Sequence, residues 1–387
     1  MIARIVIPII FVLVLPNYYI YRHHLSSLSH TKKCWRTILL CLPEAVLLLC
    51  SAIFAFSPDF IPHDIPLFEI YLAALAFYAL PKFVFCICLF ITTKFHYGKS
   101  IGVAIGIVMT GLIYYIGISG CLSAYTDFRV RRIDIFDTSL PDAFDGYKIV
   151  QFSDLHIGTF TGPHRIILER AIDSIMSQHA NVIVFTGDFQ NMSPDEVDDR
   201  HVKSLSRLNA PDGVLSILGN HDYGQYVKCS DEEKRKYEKR LVELQESLGW
   251  KVLQNSNVSI QRGRDSIVIA GEGNDGEPPY PNHSNIKKTL AGIDNKAFII
   301  LLQHDPSSWK RTILPKSNVQ LTLSGHTHGG QMNIFGFRPT MLKYSEDLGL
   351  YIYKDRQLHV SSGVGGVVPF RFQLPGEIVA ITLRKKR

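Results

Sequence analysis

Five short motifs hold the residues that could do chemistry: Asp154-Leu155-His156, Gly187-Asp188, Gly219-Asn220-His221-Asp222, Gln303-His304-Asp305 and Gly325-His326-Thr327-His328. Carboxylate, amide and imidazole groups are oxygen and nitrogen donors that suit hard or borderline divalent cations such as Mn²⁺, Fe²⁺, Zn²⁺ or Mg²⁺. So many candidate ligands exceed one tetrahedral site and suit two cations sharing a carboxylate bridge. Two cations roughly 3.5–4 Å apart polarise a phosphoryl group, make hydroxide at neutral pH and steady the attacking and leaving oxygens of an in-line displacement. The neighbouring Gly158, Gly187, Gly219, Gly325, Gly329 and Gly330 leave room for a bulky phosphate to approach the backbone.

Each motif directly follows an apolar run: Tyr147–Phe152, Val182–Phe185, Val214–Leu218, Ala297–Leu302 and Val319–Leu323. Continuous apolar runs of this length read as strands buried on both faces. Ligands of α/β sheets gather at the carboxyl ends of such strands. The expected fold is therefore α/β, a layered β-sandwich flanked by helices, with five loops converging on one site. Ile166, Ile167, Ala171, Ile172 and Ile175 give one helix an apolar face. A second helix is expected around Val202–Leu208. A highly charged third, Asp231–Leu248, carries Leu241, Leu244 and Leu248 on one side and reads as a partly solvated excursion over the site. Further strands are expected at Trp250–Leu253, Val258–Gln261, Ser266–Ala270 and in the tail Leu350–Leu383.

In order and approximate spacing, these motifs resemble the calcineurin-like metallophosphoesterase superfamily, over about Tyr147 to Leu383. Gly329-Gly330-Gln331, Pro369-Phe370-Arg371 and Pro375-Gly376-Glu377-Ile378 resemble its membrane-tethered bacterial members. The resemblance implies one metal held by Asp154, His156, Asp188 and His328, and a second by Asp188, Asn220, His304 and His326, with Asp188 bridging. It implies that His221 is no ligand but contacts the phosphate and serves as general acid for the leaving oxygen. Asp222 either orients His221 or is a surface residue that happens to follow it. Arg338 and Arg371 either hold a substrate phosphate or, preferably, form surface salt bridges. The other histidines, His164, His201, His283 and His359 among them, are assigned to surface or packing.

The first third of the chain is different. Four apolar segments, roughly Ile2–Tyr21, Thr37–Phe56, Pro66–Thr92 and Ser100–Leu122, approach or exceed the ~20 residues a helix needs to cross a bilayer core. Pro8 and Pro16 make the first the weakest, and Tyr18, Tyr19 and Tyr21 after it suit an interfacial belt. Gly102, Gly106, Gly111, Gly117 and Gly120 would let helices of the bundle approach closely. The expected organisation is a transmembrane region over 1–122, a linker over 123–146 and a catalytic domain over 147–387. Arg22, Lys32, Lys33 and Arg36 in the first link and Lys94 and Lys99 in the third contrast with Asp59 and Asp64 in the second, Ser57–Ile65. The positive-inside rule then puts both termini outside, with an extracytoplasmic catalytic domain. Arg129, Arg131 and Arg132 argue the other way.

Composition excludes several roles. The net charge of +6 is spread without a basic stripe, so no nucleic acid partner is expected. Six of the seven cysteines lie in or beside the apolar segments, which leaves Cys229 alone in the soluble part without a disulfide partner. Within the second to fourth segments only Glu44, Glu69 and Lys82 are charged, too few for a transporter, and span-end placement accounts for the two glutamates. The expected function is hydrolysis of a phosphoester or pyrophosphate bond at the membrane, on a phosphorylated substrate that the tether suggests is lipid-linked. Some superfamily relatives cleave the pyrophosphate of a UDP-linked diacylglucosamine, a substrate that would require a cytoplasmic site. The alternative is a non-catalytic membrane receptor or scaffold whose metals only stabilise a binding face.

Overall fold

Alternation along the apolar runs sets the layers, because successive side chains of a strand point to opposite faces. In Phe298–Leu302, Phe298, Ile300 and Leu302 join one buried cluster while Ile299 and Leu301 join another. Val182–Phe185 does the same: Val182 and Val184 face inward, Ile183 and Phe185 outward. These strands thus have two buried faces, as their unbroken apolar character predicts.

The computed structural model describes residues 5–56, 65–126, 128–278 and 280–387. It divides into two compact units: Met1–Ser119 with Tyr226–Lys228, and Gly120–Gln225 with Cys229–Arg387. The start of the first apolar segment and the link carrying Asp59 and Asp64 lie outside the described residues.

The second unit holds twelve strands among the described residues: β1 Phe128–Asp137, β2 Lys148–Phe152, β3 Val182–Phe185, β4 Val214–Ser216, β5 Trp250–Val252, β6 Ser256–Arg262, β7 Asp265–Gly271, β8 Phe298–Leu302, β9 Leu321–Ser324, β10 Gly349–Tyr353, β11 Arg356–Val360 and β12 Gly376–Lys385. They form two six-stranded sheets, β1-β12-β2-β3-β4-β5 and β10-β11-β9-β8-β7-β6. β2 to β5 run parallel in the first sheet, and β7, β8, β9 and β11 in the second. Ile149, Val184, Ile217 and Ile381 meet Ile267, Ile300, Leu321 and Leu323 in the core between the sheets. Helices Arg165–Met176, Asp199–Leu205 and Asp231–Ser247 cover the other face of the first sheet.

One expectation changes here. The stretch expected as a linker contains β1, paired in parallel with β12 from Phe128↔Gly376 to Asp137↔Lys385. It escapes the apolar-run criterion because it is an edge strand: of its ten residues only Ile135 and Asp137 are buried, and three are arginines. The charged helix Asp231–Ser247 is partly solvated, as expected, and is anchored on the first sheet. It starts in a capping box between Ser230 and Glu233 and buries Leu241 in the same core as Phe185 and Trp250.

In the first unit, Val6–Leu25, His30–Ala55, Leu67–Lys94 and Lys99–Ser123 are helical stretches long and apolar enough to cross a membrane. The helix Val6–Ile20 runs through Pro16 without breaking. Gly102 and Gly106 abut Thr92 and Phe85, and Gly117 abuts Phe77, so a Cβ at any of the three would collide; Gly111 faces open space. Glu44 is not at a span end. It sits within His30–Ala55, is buried, and accepts hydrogen bonds from Lys82 and from the Tyr78 hydroxyl, while Lys82 also donates to Asn17 Oδ1 at 2.6 Å.

Candidate metal centre

Each donor is delivered by a tight turn after a parallel strand. Asp154 and His156 follow β2, Asp188 follows β3, Asn220 and His221 follow β4, His304 follows β8, and His326 and His328 follow β9. Five of them have left-handed backbones, with φ of 51° at Asp154, 46° at His156, 60° at Asp188, 76° at His326 and 52° at His328. Such conformations cost roughly 1–3 kcal/mol each in non-glycine residues and persist only where their surroundings enforce them. The enforcement is a mesh of hydrogen bonds between loops. The Asp154 N–H donates to the Gly187 carbonyl at 2.8 Å, and the His156 N–H to the Asp188 carbonyl at 3.1 Å. The His221 N–H donates to Asp188 Oδ1 at 2.8 Å, and the His326 N–H to Asp154 Oδ1 at 3.0 Å.

The mesh gathers the predicted residues. Asp188 Oδ2 lies 3.1 Å from His304 Nε2 and 3.7 Å from His156 Nε2. His328 Nε2 is 3.3 Å from Asp154 Oδ1. Asn220 Oδ1 is 2.6 Å from His326 Nδ1 and 3.1 Å from His304 Nε2. Three groups, Asp154/His156/His328, His156/Asp188/His221 and Asp188/His304/His326, each bring one donor atom per residue within 4.8 Å of the others. Asp188 belongs to two of them.

Electrostatics and unmet hydrogen bonds fit this donor set to divalent cations. Burial pushes the Asp154 carboxyl up and drives His221, His326 and His328 toward neutral imidazole, and it takes His156 down to about 3. Asp188 behaves oppositely: burial pushes it up, but the imidazoles of His304 and His221 outweigh that and hold it well below the usual range. Burial likewise opposes a charged His304, and the Asp188 carboxylate overrides it, lifting His304 to about 10. Among the described residues, both ring nitrogens of buried His156, and Nδ1 of His328, have no hydrogen-bond partner. An unpaired buried polar atom costs roughly 1–3 kcal/mol. Neutral imidazoles with unused lone pairs, facing an ionised carboxylate, are the donors that a divalent cation takes up.

Several residues have roles that the sequence did not disclose. Asp222 is neither exposed nor aimed at the His221 ring. Its carboxylate is buried and accepts the N–H groups of Asp188, Phe189, Gln190 and Gly219. The His221 ring is instead held by Nδ1 donating to the Asn191 carbonyl at 2.7 Å. Arg371 forms no surface salt bridge; it is buried and donates to the carbonyls of Ser362, Gly363 and Gly365 in the loop packed on Asp154. Arg338 does form a salt bridge, a two-pronged one with Asp347. Gly187, at φ 95°, serves loop packing: a Cβ there would sit 2.5 Å from the Gly219 nitrogen and 2.9 Å from His304 Nδ1. Tyr344 places its hydroxyl 3.0 Å from His326 Nε2.

Residues 147–330 match the family model described as calcineurin-like phosphoesterase. The metallophosphoesterase YkuE of Bacillus subtilis is 32% identical over 257 residues, covering 63% of this chain and 82% of that protein. The chain belongs to the calcineurin-like metallophosphoesterase family. Within that family, a transmembrane protein with metallophosphoesterase domain from Danio rerio is 28% identical, over 70% of this chain and 60% of the relative. The UDP-2,3-diacylglucosamine pyrophosphatase LpxG of Chlamydia trachomatis is 26% identical, over 65% of this chain and 88% of the relative. The domain is a phosphoester hydrolase, and its His/Asp clusters are of the kind that binds the family's divalent metals.

Proposed function

We propose that the protein hydrolyses phosphoester or pyrophosphate bonds of a substrate at a membrane surface, using two divalent cations. The observation that supports this most is the position of Asp188 in two ligand clusters at once. Asp154, His156, Asp188 and His328 would hold one cation, and Asp188, Asn220, His304 and His326 the other. Bound there, the pair would supply Lewis-acid polarisation of the phosphoryl group and an activated water.

The chain's own groups do the rest. His304 Nδ1 donates to the Thr186 carbonyl at 2.7 Å, which fixes that ring with Nε2 toward Asp188 and Asn220. His221, held through Nδ1 by the Asn191 carbonyl, is the general acid: its other ring nitrogen delivers a proton to the leaving oxygen. Burial works against a protonated His221, so the negative charge of the bound phosphate is what loads it.

Four apolar helical stretches and a relative named for a lipid-linked diphosphate support a lipid-linked phosphoryl substrate. The charges of the links favour an extracytoplasmic catalytic domain. A C-terminal reporter fusion reads that side directly, and signal from the cytoplasmic reporter alone would reverse it.

The test is turnover of a generic aryl phosphodiester and of a lipid-linked diphosphate by the full-length protein loaded with Mn²⁺. His221→Ala should retain its Mn²⁺ and lose roughly 10²–10⁴-fold in kcat. Absence of turnover on every phosphoester offered to the Mn²⁺-loaded parent would refute the proposal.

A further inference from the structure

His304 and His221 each have one ring nitrogen fixed by a main-chain carbonyl, a partner that can only accept. His326 is different, because its outer nitrogen meets a side chain. Nδ1 points at Asn220 Oδ1, 2.6 Å away, within the cluster of Asp188 and His304. Nε2 lies 3.0 Å from the Tyr344 hydroxyl, with the two rings edge to face at 80° and centroids 5.7 Å apart.

The facing groups decide which nitrogen must carry the hydrogen. His304 gives its Nδ1 hydrogen to the Thr186 carbonyl, so as a neutral ring it turns a lone pair to the cluster. Asn220 Oδ1 and the Asp188 carboxylate turn lone pairs the same way. A cation fits among them only if His326 also presents a lone pair from Nδ1, which puts its hydrogen on Nε2. The group at Nε2 must then accept. A phenol can either donate or accept, so the Tyr344 oxygen can meet that need. The Lys343 ammonium donates to the Tyr344 oxygen at 3.1 Å. A phenol oxygen that takes the Lys343 hydrogen on one lone pair has the other for His326.

We propose that Tyr344, backed by Lys343, is a positioning residue of the site: its oxygen accepts the Nε2–H of His326 and thereby holds the Nδ1 lone pair toward Asn220 and Asp188. The inference rests on the metal-centre reading above. Partners of this outer kind are typically worth 10–100-fold in metal affinity.

The test is Mn²⁺ titration of the full-length protein in detergent, counting free Mn²⁺ by its electron paramagnetic resonance signal, beside melting in EDTA. Tyr344→Phe should weaken one class of bound Mn²⁺ by 10–100-fold, leave the other class as in the parent, and melt in EDTA like the parent. Tyr344→Gln, whose side-chain carbonyl can accept, should recover part of the loss, and it decides the matter should the Phe variant fold poorly. Selective ¹⁵N-histidine spectra of the Zn²⁺-loaded parent should show the His326 hydrogen on Nε2. If Tyr344→Phe and Tyr344→Gln both titrate like the parent, or the hydrogen is on Nδ1, the inference is overturned while the metal centre stands. A parent that binds no Mn²⁺ overturns both.

Discussion

Asp222 supports Asp188 from beneath, through the main chain. One Asp222 carboxylate oxygen accepts the N–H of Asp188 at 2.9 Å and of Gly219 at 2.8 Å, and the other accepts that of Phe189 at 2.8 Å. The carboxylate that two clusters share is thus set in place by a second carboxylate that belongs to neither. Asp222→Ala removes the acceptor from several buried donors, each worth roughly 1–3 kcal/mol. The variant should lose at least about 2 kcal/mol of stability and bind Mn²⁺ more weakly, read by thermal melting and metal titration. Asp222→Asn keeps one acceptor and should lose less.

Metal removal should destabilise the protein as well as silence it. The unpaired nitrogens of His156 and His328 are a cost in the metal-free state. Mn²⁺ at 100 times its dissociation constant should add about 2.7 kcal/mol per site. Melting curves with EDTA and with graded Mn²⁺ would show this, and His328→Ala should shrink the increment.

A pH effect is expected away from the metal ligands. Glu272 is buried, with Oε2 accepting from Gln303 Nε2 at 2.9 Å and Oε1 unpaired among the described residues. Burial raises it from 4.5 to about 7. The folded form therefore holds this proton more tightly than the unfolded chain. That contribution is complete below about pH 4.5 and fades as pH rises to about 7. Glu272→Gln does not titrate, so its stability relative to the parent should improve across that window and level off above it. Paired melting curves from pH 4.5 to 8 would reveal a flat difference if Glu272 were not buried in this way.

In the first unit, Glu44, Lys82, Tyr78 and Asn17 tie three apolar helices together. Breaking a buried ion pair on one side leaves an uncompensated charge and costs roughly 3–5 kcal/mol. Glu44→Leu alone and Lys82→Met alone should each be strongly destabilising, while the double variant should recover most of the loss. A double variant that melts at the sum of the two single losses would show that the pair is not coupled.

The motifs and the strands before them were legible because both-faced burial leaves unbroken apolar runs, as in Val182–Phe185 and Phe298–Leu302. A strand end followed at once by Asp, Asn or His identifies a loop that carries a ligand, whichever strands are neighbours. β1 was not legible, because an arginine-rich edge strand leaves no such run. By itself, then, the sequence determined which residue types could bind metal and that they lie at the carboxyl ends of buried strands. Only the tertiary structure decided that Asp222 braces Asp188, that Arg371 is buried on carbonyls, that Glu44 finds Lys82 and that Tyr344 meets His326. The physical reason is that strand pattern is a local, periodic signal, whereas these contacts follow no sequence period and form only when loops and helices fold onto one another. Each satisfies a buried polar group whose need arises only once the chain has folded around it.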